Sequence, residues 1–137
     1  MRVEPLPNAP AATVETDGER LLAVADYHAG IEAGLRYEGV SLQSAADERR
    51  ERVLDLLDRA RADRLVVLGD LGHAIGDPFA EEREELTELF EAVKVPVTLV
   101  KGNHDGDLEP VLAEMDAAVD VTPGHGTRVG DVGFVHG

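Results

Sequence analysis

The chain has 137 residues, 43% of them hydrophobic and 30% charged, enough for one domain with a core of its own and cramped for two. Thirteen Lys and Arg against 28 Asp and Glu leave a formal charge of −15, so the basic footprint of a nucleic-acid grip is absent. The lack of Cys excludes disulfides, thiolate metal sites and a Cys nucleophile, and no apolar run approaches the ~18 residues of a membrane span.

Residues 1 to 10 hold three of the seven Pro and read as an irregular lead-in. Met1-Arg2-Val3-Glu4-Pro5 has no apolar signal-peptide core, so a soluble cytoplasmic protein is expected. Ala11 to Glu15 and Arg20 to Ala25 flank Asp17-Gly18, the signature of a hairpin. The second run ends in Asp26-Tyr27-His28, and a Gly-containing loop is expected from Ala29 to Gln43. Ser44 can cap a helix whose apolar face carries Val53, Leu54, Leu57 and Ala60. Arg64 to Leu68 is a short apolar run suited to a strand buried on both faces, and it stops at Gly69-Asp70. A second helix is predicted over Pro78 to Val93, with Leu86, Leu89, Phe90 and Val93 as its stripe; Glu81-Glu82-Arg83-Glu84-Glu85 reads as its solvated face. Pro96 to Val100 is the next buried strand, stopping at Gly102-Asn103-His104-Asp105. Asp107 can cap a short helix carrying Val111, Leu112 and Met115. Ala117 to Val121 and Thr127 to Val129 are short strand candidates, and Val132 to Val135 is the last, ending at His136-Gly137. Strands alternating with helices predict an α/β fold: a mainly parallel central sheet flanked by helices, begun by an N-terminal antiparallel hairpin.

Four apolar strands thus end in groups able to bind a metal: Asp26 with His28, Asp70, Asn103 with His104, and His136. Parallel strands bring their carboxyl ends to one edge of the sheet, where α/β proteins build their sites. Asp26 and His28 are two apart, a spacing that points both side chains one way on an extended strand. Gly69 and Gly102 each precede a candidate ligand and permit close backbone approach. Oxygen and imidazole donors without thiolate suit Mn²⁺, Fe, Zn²⁺ or Mg²⁺. Each residue alone has an ordinary explanation, as a cap, a turn or a structural His; their joint recurrence at strand ends is what points to chemistry. His73 and Tyr37 can reach such a cleft but read as plain loop residues.

In this order and at these intervals, Asp26-Tyr27-His28, Gly69-Asp70 and Gly102-Asn103-His104-Asp105 resemble the D-x-H, G-D and G-N-H-[DE] signatures of the calcineurin-like metallophosphoesterases. The runs Ala25 to Glu32 and Leu68 to His73 also resemble a prokaryotic, ICC-like subgroup. The resemblance implies a metal-dependent phosphoric ester hydrolase with a four-layer α/β/β/α sandwich and two divalent ions, Mn²⁺ first among the candidates. Asp26 and His28 would hold one ion, Asn103 and His136 the other, and Asp70 would bridge them. His104 would face the substrate phosphate, with Asp105 orienting it. Hydrolysis of a phosphomonoester or phosphodiester would proceed by attack of a metal-bound hydroxide, and nucleotides or nucleic acid fall within the substrate class.

The family's fifth signature, G-H-x-H, would follow His136, whereas the sequence ends at Gly137; Gly124-His125-Gly126-Thr127 starts similarly but has Thr in place of the second His. The expectation is therefore one metallophosphoesterase-like domain over residues 11 to 137, incomplete at its C-terminal side. A second reading keeps the fold as a weakly active or inactive remnant that serves as a metal-binding or interaction module. No nucleotide-binding phosphate loop is present, and neither Ser41 nor Ser44 sits on a strand-to-helix elbow. The surplus of carboxylates, with two Lys against eleven Arg, suits a salty cytoplasm or a merely acidic protein.

Overall fold

The computed structural model describes residues 2–39, 43–73, 80–102, 105, 108–115, 119–122 and 126–136. Its first elements are three antiparallel strands, β1 (Arg2–Pro5), β2 (Ala11–Thr16) and β3 (Glu19–Ala25). The expected hairpin forms around Asp17 and Gly18, whose φ angles of 50° and 73° give the two left-handed residues of a tight two-residue turn. The lead-in is not irregular throughout, because Arg2–Pro5 pairs with β2 as an edge strand. Every residue of β1 is exposed, so backbone pairing holds it and no apolar alternation announces it.

From β3 the chain crosses through α1 (Ile31–Tyr37) and α2 (Ala46–Ala60) to β4 (Arg64–Leu68), through α3 (Ala80–Ala92) to β5 (Val97–Val100), and through α4 (Glu109–Glu114) to β6 (Val119–Thr122). The pairs β3–β4, β4–β5 and β5–β6 are parallel, giving a six-stranded mixed sheet in sequence order, β1 to β6. Helix α1 occupies part of the stretch expected to be loop. It contains Gly34 and is only seven residues long, so its periodicity is weak in the sequence. The Ser44 hydroxyl accepts the Ala46 N–H at 3.2 Å, but Ser44 lies one residue before the N-cap, a position that Ala45 holds without a side-chain cap bond.

The strands alternate their side chains between two cores. Leu22 and Val24 of β3, Leu65 and Val67 of β4, and Val97 and Leu99 of β5 pack under Val53 and Leu56 of α2, Leu86 and Leu89 of α3, and Val111 and Leu112 of α4. The opposite face carries Leu21, Ala23, Val66 and Val100, which meet Phe134 and the half-buried Val129 and Val132. These last three belong to a separate antiparallel hairpin, β7 (Thr127–Val129) and β8 (Val132–Phe134). The described residues therefore form three layers: helices, six-stranded sheet, two-stranded sheet. The final apolar strand is not a member of the main sheet. It pairs with β7, and the edge place beside β5 is taken by β6.

Candidate metal centre

The last register pair between β3 and β4 is Ala25 with Leu68. Beyond it the two chains stay joined but bend. The N–H of Asp26 donates to the Gly69 carbonyl at 3.2 Å, that of His28 to Asp70 at 2.9 Å and that of Ala29 to Leu71 at 2.9 Å. Asp26, His28 and Asp70 all adopt left-handed backbone, with φ of 56°, 52° and 52°. That conformation costs a side-chain-bearing residue about 1–2 kcal/mol, and it persists where surrounding hydrogen bonds over-determine it. Asp26 and His28 thus share a direction through a twisted loop rather than through the pleat of an extended strand.

Two glycines let the loops close on one another. A Cβ at Gly102 would lie 2.5 Å from both the N and the Oδ1 of Asp70. One at Gly69 would lie 2.0 Å from Cδ2 of His136. The His136 ring therefore rests against residue 69, delivered from β8 in the second sheet rather than from a neighbouring parallel strand. Its Nε2 lies 3.5 Å from Oδ1 of Asp26 and 3.5 Å from Oδ2 of Asp70.

Asp26, His28 and Asp70 each offer a ligand atom, and these atoms lie within 4.8 Å of one another. Nε2 of His28 is 3.9 Å from Oδ2 of Asp70. These separations exceed a hydrogen bond of about 2.7–3.2 Å, yet two metal–ligand bonds of roughly 2.0–2.2 Å span them. Two carboxylates and two imidazoles also make a donor set suited to a divalent cation, so the residues fit a metal. The Asp70 side chain is 10% exposed and lies at the floor, whereas that of Asp26 is 59% exposed and opens the centre to solvent.

Asp105 is fully buried, and its carboxylate oxygens accept the Gly72 N–H at 3.0 Å and the Gly102 N–H at 2.8 Å. One side chain thereby ties the loop after β4 to the loop after β5. Burial pushes the Asp105 carboxyl above its ordinary value, against the pull of those backbone amides, and the nearby Asp70 charge adds to the rise. Its expected partner His104, and the expected ligand Asn103, lie outside the described residues.

Three residues at or near the centre carry more than the sequence suggested. Nδ1 of His73 lies 3.3 Å from Nδ1 of His28, with the rings edge to face at 5.3 Å, so His73 borders the centre instead of being a plain loop residue. Tyr37, by contrast, is 85% exposed. Glu82 and Glu85, expected on a solvated helix face, are buried. The segment Glu81 to Glu85 reads as uniformly charged, and only the packing of α3 against the site loops separates the inward pair. The one sequence clue was position: residues 82 and 85 each lie four residues before a buried leucine, Leu86 and Leu89, and so share its helix face.

A mixed α/β sheet thus carries an oxygen- and imidazole-lined centre, a donor set suited to a divalent cation, at the carboxyl edge of its parallel strands. The family model for calcineurin-like phosphoesterases matches residues 19–137, and the chain belongs to that family, whose members are typically metal-dependent hydrolases. The crystal structure of the Pseudomonas putida nuclease MPE is similar in fold, with a TM-score of 0.60 at 20% identity. The similarity covers 86% of this chain and 62% of that one, so this chain spans less than two thirds of the compared structure. No curated protein matches the chain.

Proposed function

We propose that the protein hydrolyses a phosphomonoester or phosphodiester using divalent cations held by Asp26, His28, Asp70, Asn103 and His136. The observation that carries this reading is the meeting of Asp26, His28, Asp70 and His136, from three separate stretches of chain, at distances a cation can span. When bound, such cations supply positive charge to the phosphoryl oxygens and acidify an attacking water. Asp70 is the residue suited to bridge two ions, because like charges about 3.5–4 Å apart need a shared carboxylate between them. Asp26, at the solvent-open side, leaves room for a phosphoester to approach. His104 is assigned the phosphate-facing position, where donating a proton to the leaving oxygen is worth about 10²–10⁴-fold. Mn²⁺ is the first cation to test, with Fe, Zn²⁺ and Mg²⁺ as alternatives. The similar fold of a nuclease brings nucleic acid into the candidate substrates. The −15 charge favours short or single-stranded substrates over a duplex held along its backbone.

The test is turnover of a chromogenic phosphodiester by purified protein with added Mn²⁺. Asp70→Asn is expected to lower turnover by more than about 100-fold, since losing even an outer-shell partner of a metal costs 10–100-fold. Metal should also raise the melting temperature, by the equivalent of about 2.7 kcal/mol at a concentration 100 times the dissociation constant. Binding without turnover would favour the metal-binding module. If added metal changed neither activity nor melting temperature, the proposal would fail.

A further inference from the structure

Helix α3 carries two carboxylates three residues apart, Glu82 at 1% and Glu85 at 3% exposure. That spacing sets them on one helix face. Oε1 of Glu85 accepts the Gly30 N–H at 2.8 Å, two residues after His28. Oε1 of Glu82 accepts the His73 N–H at 2.9 Å, three residues after Asp70. The helix also abuts the first of these loops with no clearance. A Cβ at Gly30 would lie 2.6 Å from Cβ and 2.9 Å from Cα of Glu82, and Gly30 has φ +76°. A buried carboxylate costs several kcal/mol of desolvation, and an apolar residue of similar volume often serves a core as well or better. Arg49 offsets that cost at Glu85, donating to Oε2 at 2.7 Å and Oε1 at 2.6 Å.

We propose that Glu82 and Glu85 are positioning residues for the metal centre. From one rigid helix they hold a backbone amide in each of the two loops bearing His28 and Asp70, and so fix the distance between the ligands. The inference rests on the metal-binding reading above. It predicts that metal affinity depends on the hydrogen-bond acceptor at position 82 and not merely on the volume there.

The test compares Glu82→Met, of similar size without the acceptor, with Glu82→Gln, which keeps an acceptor oxygen, and with Glu88→Gln, an exposed change on the same helix. Mn²⁺ binding is followed by the electron paramagnetic signal of the free ion. Glu82→Met should weaken binding about 10-fold or more, Glu82→Gln should recover most of the loss, and Glu88→Gln should match wild type. The metal-free His73 amide should also exchange with solvent faster in Glu82→Met, while that of Val66 in β4 stays protected. Wild-type protein that binds Mn²⁺ together with a Glu82→Met variant that binds it equally well would overturn this inference and leave the metal reading standing. Wild-type protein that takes up no Mn²⁺ would overturn the metal reading itself. If Glu82→Met does not fold, exchange in wild type decides: the Gly30 and His73 amides should slow when Zn²⁺ is added, and rates indifferent to the metal overturn the proposal.

Discussion

Gly69 shows how a single residue sets the centre. Its φ of +77° and the His136 ring across its face leave no space for a methyl group, since a Cβ would fall 2.0 Å from a ring carbon. Gly69→Ala must displace His136 or the loop that carries Asp70. We expect the variant to fold and to bind Mn²⁺ at least about 10-fold more weakly than wild type, by analogy with the loss of a ligand-orienting contact. Gly133→Ala is the control, because a Cβ there meets nothing within 4 Å. Calorimetric titration of both variants checks this, and equal affinities would remove His136 from the ligand set. The same closeness explains Gly102, whose neighbour is the backbone of Asp70 itself. Substitution there cannot be absorbed by a flexible side chain.

Among the elements, α1, α2 and α3 are joined by one ionic cluster centred on Arg49, in addition to the apolar core that α2 and α3 share. Arg49 of α2 donates to both oxygens of Glu32 of α1 at 2.7 Å and to both oxygens of Glu85 of α3. Its guanidinium also lies 5.9 Å from the centre of the Tyr27 ring. Burial alone would lower the Arg49 pKa, but the bonds it donates to Glu32 and Glu85 outweigh that and raise it. The Arg49 hydrogen bonds hold the Glu32 carboxyl below its ordinary value. A carboxyl depressed in the folded state stabilises the protein above its unfolded pKa, and that stability is lost as pH falls through the folded value. Thermal melts should therefore show an acid-side decline below about pH 4.5, the ordinary carboxyl value, and Glu32→Gln should flatten part of it. Arg49→Met leaves two carboxylates without their cation and should cost about 3–5 kcal/mol in denaturant unfolding at neutral pH. A smaller loss would mean that the cluster orders the helices without stabilising them.

For the whole molecule, the −15 charge dominates the behaviour in salt. Several of the ion pairs are exposed, such as Arg2 with Glu4 and Arg83 with Glu114, and pairs of that kind contribute little. Net repulsion among the remaining carboxylates should then outweigh their attraction. Raising NaCl from about 0.01 to 1 M shortens the screening length from ~30 to ~3 Å, so the melting temperature should rise. A falling melting temperature would show instead that the ion pairs matter more than the repulsion. No helix among the described residues is long and apolar enough to cross a membrane.

Local chemistry was legible in the sequence. The Asp17-Gly18 turn, the buried strands β4 and β5, and the short signatures at Asp26, His28 and Asp70 each depend on neighbours along the chain, so their residue types announce them. Tertiary structure decided what depends on neighbours across the chain. It put β1 on the sheet edge by backbone pairing alone, brought His136 from a second sheet, and turned Glu82 and Glu85 inward from a segment that reads as solvated. It also drew the His73 ring to His28. The reason is physical: periodicity and turn chemistry record which face of an element is apolar. The position of a buried charge is set by the partner that satisfies it, and for Glu82 and Glu85 those partners lie 9 and 55 residues away.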